Sequence, residues 1–249
     1  MTSRRYHDTR CQLIKQTYAS VLPPTHYIFY SDADDPTLPA VRVGETIFPR
    51  AMPAKDQYMH AQLRWPEALR HAQRSSLALG TRWTMIVDDD TYVIPQNVLR
   101  VLRGYDPASP TVLLGQACPP IAGLPRICGG AGWVISTALH AALVAVLPRC
   151  TARSGAFSES HSDAFLSVCM HDLLQVDISD RAEFNSAEPA YYESAKGQLD
   201  RPRGYGAPAT FHYIKSYEQW MTLHHLSSWA AQVGGHAGGM GRGIRNASW

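Results

Sequence analysis

The sequence predicts a single α/β domain in which a mainly parallel, mixed sheet is covered by helices on both faces. At 249 residues, of which 45% are hydrophobic and 18% charged, the chain can bury a large core. Short apolar runs alternate with segments of helical periodicity, a pattern typical of parallel sheets. The run "WTMIV" is apolar throughout, as expected for a strand covered on both faces. No internal repeat or linker divides the chain.

The first half of the chain contains two predicted strands and two predicted helices. The strands are "HYIFYSD" at 26–32 and "WTMIV" at 83–87. Between them, apolar residues recur at helical spacing from Asp56 to Leu79, and Gly80 follows as a stop signal. The second helix is "NVLRVLRG", which ends at its glycine.

The second half adds three predicted strands and two predicted helices. The strands are "TVLLGQA", "GWVIS" and "TFHYI". Ser136 is the predicted N-cap of "TALHAALVAVL", and Ser162 is that of "DAFLSVCMHDLL". The Gly-rich segment "VGGHAGGMGRGIRNAS" lacks periodicity. We therefore expect one folded domain over 1–226 and a mobile tail over 227–249.

Charge and hydropathy exclude two classes of protein. The 23 Lys and Arg residues nearly balance the 21 Asp and Glu residues, and no basic run is present, so no nucleic-acid partner is expected. The longest apolar stretch, "ALHAALVAVL", is far too short to span a bilayer, so we expect the chain as given to be soluble.

Five cysteines leave two interpretations open. The absence of a CxxC pattern argues against a structural zinc site. One interpretation pairs Cys118 with Cys128 and Cys150 with Cys169 as disulfides in an oxidising lumen. The other is five buried thiols, including Cys11. The sequon "NAS" is a weak indication of secretion, and a luminal protein would need a targeting segment beyond this sequence.

Acidic residues follow two of the predicted strands. Asp88, Asp89 and Asp90 come directly after "WTMIV", and Asp32 follows "HYIFYS". In such sheets, ligands bind beyond the carboxyl ends of the strands. A lone aspartate there is usually a turn residue, but three adjacent carboxylates repel one another unless a cation offsets their charge. A hard divalent metal, Mn²⁺ or Mg²⁺, fits such an oxygen-rich site, especially beside phosphates.

The two familiar phosphate-binding loops are absent from the sequence. There is no GxxxxGK[ST] or GxGxxG, and "GGAGW" at 129–133 fits neither spacing, which excludes kinase, ATPase and dinucleotide-binding interpretations. What remains is a carboxylate-bound metal that holds a diphosphate, as in nucleotide-sugar glycosyltransferases with an Asp-x-Asp motif.

At this point the sequence resembles a known family, the fringe-like β-1,3-glycosyltransferases of glycosyltransferase family 31, which include core 1 galactosyltransferases. The matching segments, in order, are "RRYHDTRCQLIKQTYAS", "YIFYSDADD", "MIVDDDTYV", "GGAGWVIS", "SDAFLSVCMHDLLQVDI" and "FHYI". The opening segment contains the pattern Thr-x-x-x-x-His-x-x-Arg. There are departures: the family's first strand should precede Thr2, where Met1 stands, and "FNS" at 184–186 replaces a Phe-His-Ser.

The resemblance implies a GT-A, Rossmann-like fold and a specific chemistry. It implies a metal-dependent, inverting transfer from a UDP-sugar to a glycan or glycoprotein hydroxyl, with a β-1,3 linkage and with galactose, N-acetylglucosamine and glucose donors all open. It also implies the Golgi or ER lumen, with the full-length form a single-pass type II membrane protein anchored outside this chain. A homodimer is left open.

The resemblance also assigns roles to residues at the metal and the nucleotide. Asp90 and His212 would bind the metal. Asp88 would bind the metal directly, bind a water molecule on the metal, or contact the ribose, and Asp89 would help to hold the nucleotide. Without the resemblance, His212 is more simply a strand histidine with satisfied hydrogen bonds.

Further roles concern the rest of the donor. Thr2, Arg4 and Asp32 would contact its uridine side. Gly129 and Gly130 would let the backbone approach the sugar, with Trp133 as a stacking platform. Turn glycines and a core tryptophan are the alternative interpretation.

Asp163 is the expected catalytic residue. It lies in the first turn of a predicted helix, where the macrodipole favours an ionised carboxylate. Such a carboxylate would take the proton from the acceptor hydroxyl in an inverting transfer. The alternative is a favourable helix-start charge without a catalytic role.

Two other functions stay open from the sequence. A catalytically inactive carbohydrate-binding relative of the same fold would bind glycan without releasing UDP. A metal-stabilised structural domain would show no change of melting temperature with UDP, even with Mn²⁺ present.

Overall fold

The computed structural model describes residues 1–44, 64–121, 124–152, 162–194, 196–197 and 207–237. The strands are β1 Phe29–Ser31, β2 Ala40–Arg42, β3 Trp83–Ile86, β4 Tyr92–Val93, β5 Leu113–Gly115, β6 Ala117–Ile121, β7 Leu124–Ile127, β8 Trp133–Ser136, β9 Ser179–Asp180 and β10 Thr210–Phe211. The α-helices are α1 Gln12–Gln16, α2 Trp65–Leu79, α3 Pro95–Leu102, α4 Thr137–Ala152, α5 Ser162–Leu174, α6 Pro189–Glu193 and α7 Tyr217–Ala237. A π-helical turn, His7–Cys11, precedes α1, and a 3-10 turn, Gly129–Ala131, precedes β8.

Most predicted elements are found where they were expected. Gly80 ends α2 in the left-handed conformation, with φ 64°, which glycine adopts without strain. The Leu139 amide donates a hydrogen bond of 3.0 Å to Ser136 Oγ, which confirms the predicted N-cap of α4. Helix α5 begins at Ser162 itself, one residue earlier than predicted. Residues 56–63 of the first predicted helix lie outside the described residues.

The central sheet has the strand order β3-β8-β5-β9. Strand β8 is antiparallel to both β3 and β5, whereas β9 is parallel to β5. The α/β class and the mixed sheet are confirmed, but this sheet is not mainly parallel, which corrects that part of the prediction. The reason is that only the hairpin β6-β7 connects β5 to β8, without the long crossover that a parallel neighbour requires.

The two faces of the central sheet pack into two hydrophobic clusters. Leu114 and Val134 face the first cluster, which includes side chains of α1, α3 and α7. Leu113, Trp133 and Ile135 face the second cluster, which includes side chains of α2, α4 and α5. Neighbouring residues of one strand point to opposite faces, which divides them between the clusters. The predicted helices on both faces are therefore present.

Two disulfides join parts of the chain that carry the sequence motifs. Cys118–Cys128 closes the hairpin β6-β7, and Cys150–Cys169 joins α4 to α5. Cys11 is a buried free thiol. Of the two interpretations of the cysteines, the structure has the disulfides.

An apolar cavity of about 220 Å³ lies between β1 and β3, lined by side chains that include Phe29, Trp83 and Met85. Among the described strands, β1 pairs only with β2 and β3 only with β8, so their facing edges are unpaired. Residues 1 and 2 reach both edges, because the Met1 ammonium donates to the carbonyl that follows β3 (2.8 Å) and the Thr2 amide donates to a carbonyl of β1 (2.9 Å).

Helix α7 crosses position 226, where we expect the aperiodic tail to begin, and continues to Ala237. Trp220, which is fully buried, fixes this helix by packing its ring against Tyr18 and Tyr92. Residues 238–249 lie outside the described residues. Within the described part of the chain, no helix has the length and apolar character needed to cross a membrane.

Candidate active site

The three aspartates form a turn beyond the carboxyl end of β3. The Thr91 amide donates to the Asp88 carbonyl (3.2 Å), and the Ile214 amide donates to the Asp90 carbonyl (3.0 Å). Because β10 pairs with β4 directly after this turn, the residue that follows β10, His212, lies beside the aspartates. Its Nε2 is 3.1 Å from Asp90 Oδ1.

Asp88, Asp90 and His212 together form a group that suits a metal ion. One possible ligand atom from each residue lies within 4.8 Å of the other two. Two carboxylates are donors that suit both Mn²⁺ and Mg²⁺, and the added imidazole favours the transition metal Mn²⁺ over Mg²⁺. His212 Nδ1 lies 3.2 Å from the Ser186 carbonyl, which favours a proton on Nδ1 and leaves Nε2 toward the carboxylates. The donor set therefore fits the predicted metal.

The segment "FNS" at 184–186 supports His212. Phe184 is fully buried in the first cluster. Asn185 Nδ2 donates to the Thr210 carbonyl of β10 (3.0 Å). These contacts hold the Ser186 carbonyl in place, so the segment that departs from the family pattern fixes the orientation of the histidine.

Burial and nearby charges shift the pKa values of two of the carboxylates. Burial raises the pKa of Asp88. The positive charges of the Met1 ammonium and of His212 lower this pKa, whereas the negative charges of Asp90 and Asp89 raise it further. Burial also disfavours ionised Asp90, but the hydrogen bond and charge of His212, together with Arg10 and Lys215, outweigh it and lower its pKa. Protein cations therefore offset part of the repulsion among the three carboxylates.

Asp89 differs from its neighbours because both of its oxygens bind protein groups. Oδ1 accepts a hydrogen bond from Arg10, and Oδ2 accepts one from Thr2 Oγ1 (2.7 Å). The Arg10 guanidinium also lies 3.7 Å from Asp90 Oδ2 and stacks on the Tyr6 ring. Arg10 was not predicted as a site residue, although it is the arginine of the His-x-x-Arg pattern in the opening segment.

Asp163 is held by the backbone in the first turn of α5. Its Oδ2 accepts from the Gly129 amide (2.9 Å), and its Oδ1 accepts from the Ala164 amide (2.8 Å). Ser167 Oγ donates to the Asp163 carbonyl (2.6 Å) and accepts from the Ile127 amide (2.8 Å), which joins the helix to β7. The carboxylate is thus fixed next to the glycine turn.

Gly129 and Gly130 separate Asp163 from His212. A Cβ on Gly129 would lie 3.0 Å from Asp163 Oδ2, and a Cβ on Gly130 would overlap the His212 ring. Thr91 Oγ1 donates to the Gly130 carbonyl (2.9 Å), which ties the turn to the acidic residues. The two glycines are therefore needed for the close approach of the backbone to the Asp163 carboxylate and the His212 ring.

The residues expected around the donor lie in different environments. Asp32 Oδ1 accepts from the Arg4 amide (2.7 Å), whereas the Arg4 side chain is exposed. Trp133 is only 2% exposed and packs near Trp65 in the second cluster. Its burial fits the alternative interpretation as a core residue, although the residue also borders the site.

These groups line one open cavity of about 710 Å³. The predicted site residues that line it are Thr2, Asp32, Asp88, Asp89, Asp90, Gly129, Gly130, Trp133, Asp163 and His212. Arg4 is the predicted site residue that is not among the described lining residues. Small-molecule sites commonly measure about 300–1,000 Å³, so the cavity has the size for a nucleotide sugar.

The sheet, the helices on both faces and the carboxylate–imidazole group beyond β3 define an α/β domain of the GT-A type. The chain belongs to the Fringe-like family, whose family model matches residues 1–224. The resemblance seen in the sequence motifs is thereby confirmed.

Individual relatives are similar over most or part of the chain. Human beta-1,3-glucosyltransferase is 27% identical over 232 residues, covering 88% of this chain and 41% of the relative, and the mouse protein of that name is 25% identical with 88% and 42% covered. Chicken beta-1,3-N-acetylglucosaminyltransferase radical fringe is 30% identical over 107 residues, covering 43% of this chain and 27% of the relative. The chain thus spans about two-fifths of the length of the glucosyltransferases it matches.

One solved structure, a glycosyltransferase involved in the glycosylation of the major capsid of PBCV-1, aligns with 87% of this chain and 94% of its own. The identity is 15% and the TM-score 0.42.

Proposed function

We propose that this chain transfers a sugar from a UDP-sugar to a hydroxyl of a glycan or glycoprotein, with inversion and a β-1,3 linkage. The observation that carries the proposal is the arrangement of Asp163 and the Asp88, Asp90 and His212 group on either side of Gly129 and Gly130, in one cavity. The names of the relatives support the linkage, and they make UDP-glucose and UDP-N-acetylglucosamine the first donors to test.

The donor is assigned to the acidic half of the cavity. Asp88, Asp90 and His212 would hold Mn²⁺ or Mg²⁺, which supplies positive charge to a leaving diphosphate. Asp89 orders the wall by binding Arg10 and Thr2. Asp32 faces the uridine side, and Gly129 and Gly130 leave room for the sugar, as the resemblance implied.

Asp163 is the proposed general base. Its carboxylate takes the proton of the acceptor hydroxyl while that oxygen bonds to the anomeric carbon. The bond from the anomeric carbon to the diphosphate oxygen breaks on the opposite face, and UDP leaves with the electron pair. The amides of Gly129 and Ala164 hold the carboxylate in one orientation, so little reorganisation is needed when the acceptor arrives.

We also infer that the protein works in the lumen of the Golgi or ER. Two disulfides support an oxidising compartment, because such bonds are rare in the cytosol. The proposed type II anchor remains an implication of the family resemblance.

The first experiment is thermal unfolding with UDP, with Mn²⁺ and with both, on the wild type and on Asp90→Ala. A ligand that binds only the folded state raises its stability by mass action, so we expect a shift that needs both ligands and is lost in Asp90→Ala. UDP release from the donor sugars, with and without acceptor, then follows, with Asp163→Asn as the variant that should bind UDP but lose transfer.

Other outcomes favour other functions. A normal thermal shift without UDP release on any acceptor would favour the inactive carbohydrate-binding relative. A shift with Mn²⁺ alone and none from UDP would favour a metal-stabilised structural domain. No shift under any condition would contradict the proposed function.

A further inference from the structure

Tyr213 directly follows His212 and has a backbone conformation that tyrosine rarely adopts. Its φ is 60°, in the left-handed region, where residues with a Cβ are strained. The residues on both sides are fixed, because the His212 amide donates to the Ala187 carbonyl (3.2 Å) and the Ile214 amide donates to the Asp90 carbonyl (3.0 Å). The chain therefore makes its turn at Tyr213.

The turn places the tyrosine ring at the surface of the site. Tyr213 is 51% exposed and lines the cavity, whereas its neighbours Phe211 and Ile214 are buried. The centroid of its ring is 3.9 Å from that of His212, and Lys215 Nζ is 4.8 Å from the centroid. The ring contacts both of these side chains, while about half of the surface of Tyr213 stays open to solvent.

Packing alone does not explain a tyrosine at this position. Glycine or asparagine adopts this φ with less strain, and a half-exposed ring contributes little to a core. Strained residues of this kind cluster at binding and catalytic sites, so the observed φ points to a use for the side chain. An open aromatic face binds the apolar C–H face of a pyranose, and a nearby ammonium donates hydrogen bonds to its hydroxyls.

We propose that Tyr213, together with Lys215, binds a sugar ring of the acceptor at the mouth of the cavity. This inference rests on the function proposed above, and it assigns a contact for the acceptor. The acceptor fits better than the donor because the aspartates that would hold the donor diphosphate are at least half-buried, whereas the tyrosine faces the solvent from which an acceptor arrives.

The test compares Tyr213→Ala, Tyr213→Phe and the matched control Tyr217→Ala. Tyr217 is also an exposed tyrosine, at 61%, and it is not among the described residues that line the cavity. Each protein is assayed for the thermal shift with UDP and Mn²⁺, for donor hydrolysis without acceptor, and for the KM of the p-nitrophenyl monosaccharide that the wild type uses best.

We expect Tyr213→Ala to raise the acceptor KM about tenfold through loss of the aromatic contact. The donor KM and the UDP shift should stay near the wild-type values, and Tyr213→Phe should keep the acceptor KM within about twofold, because the ring is retained. Tyr217→Ala should match the wild type in every assay.

Three results would overturn the inference. One is an unchanged acceptor KM in Tyr213→Ala alongside a normal UDP shift. Another is a raised donor KM, or a lost UDP shift, in that variant, since the ring would then act through His212 or on the donor. A wild type without any UDP and Mn²⁺ shift would overturn the proposed function first and this inference with it.

Discussion

Gly130 lies where no side chain fits, because a Cβ there would overlap the ring of His212. We therefore expect Gly130→Ala to displace His212 and to abolish the thermal shift with UDP and Mn²⁺, while the protein still unfolds cooperatively. Gly104→Ala is the matched control, since the nearest heavy atom to its Cβ would be the Val101 carbonyl oxygen at 3.8 Å. A Gly130→Ala protein with a normal shift would show that His212 is not needed for metal and nucleotide binding.

His140 is a buried histidine outside the active site that should make stability depend on pH. Its Nε2 bonds the Leu69 carbonyl (3.0 Å) and its Nδ1 bonds Thr84 Oγ1 (3.0 Å), so it joins α4 to α2 and β3 as a neutral ring. Burial lowers the pKa of His140 from 6.5 to about 4. The unfolded chain therefore binds this proton at higher pH than the folded chain does.

The sign of the effect follows from that difference in pKa. The contribution of His140 to stability is complete above pH 6.5, falls as the pH drops, and is lost near pH 4. The difference between the two pKa values corresponds to a loss of about 3 kcal/mol in the free energy of unfolding. Urea unfolding at several pH values should show that His140→Gln flattens this part of the profile. His225→Gln, at an exposed position, should leave the profile unchanged. Parallel profiles for the wild type and His140→Gln would contradict the prediction.

Sequence alone placed Asp88 and Asp90 after a strand and Asp163 in the first turn of a helix, where the structure has them. The catalytic role proposed for Asp163 came from the family resemblance, because a charge at the start of a helix does not by itself predict catalysis. The assignment of His212 to the metal required the family resemblance, because the strand that precedes it is only two residues long and gives a weak signal in the sequence. Arg10 and Tyr213 were missed, because one reaches the site only through folding and the other depends on a backbone turn that local propensity does not encode.

At the scale of elements, the two disulfides fix different parts of the site. Cys150–Cys169 joins α5, which carries Asp163, to α4 across a sequence separation of 19, and Cys118–Cys128 closes the hairpin that leads into Gly129 across a separation of 10. Loops of these lengths give each bond about 3 kcal/mol of stabilisation.

Replacing either pair by alanines should therefore lower the free energy of unfolding by similar amounts. Only the replacement of Cys118 and Cys128 should also weaken the thermal shift with UDP and Mn²⁺, because this pair holds the glycine turn beside His212. Chemical denaturation and ligand titration on both double variants measure the two effects. Equal losses of ligand response would mean that the hairpin bond has no specific effect on the site.

The unpaired edges of β1 and β3 lead to a second prediction about elements. About five apolar β-branched residues added before Met1 should enter the cavity between the two strands and pair with both edges. A peptide N–H would replace the Met1 ammonium in its hydrogen bond to Val87. We expect the melting temperature to rise by about 5 °C, and a Gly-Ser extension of equal length to have no such effect. Equal melting temperatures for the two extensions would contradict the prediction.

At the scale of the whole molecule, sequence predicted the layers better than the strand directions. Apolar periodicity reports which residues are buried, and it gave helices on both faces of a sheet correctly. It does not report how strands pair, so the antiparallel place of β8 between β3 and β5 was missed. Helix α7 was not among the predicted elements, and it continues to Ala237 through residues that the sequence assigned to an aperiodic tail.

The two hydrophobic clusters support different parts of the candidate site. His212 is flanked in the chain by residues of the first cluster, whereas Asp163 is followed by residues of the second. The Gly129–Ala131 turn lies between them. Substitutions that repack the second cluster can therefore change the surroundings of Asp163 while the carboxylates and His212 keep their arrangement. Library mutagenesis of α4 and α5 would then vary the position of Asp163 separately from the carboxylate–imidazole group, with the thermal shift by UDP and Mn²⁺ as the property to hold constant.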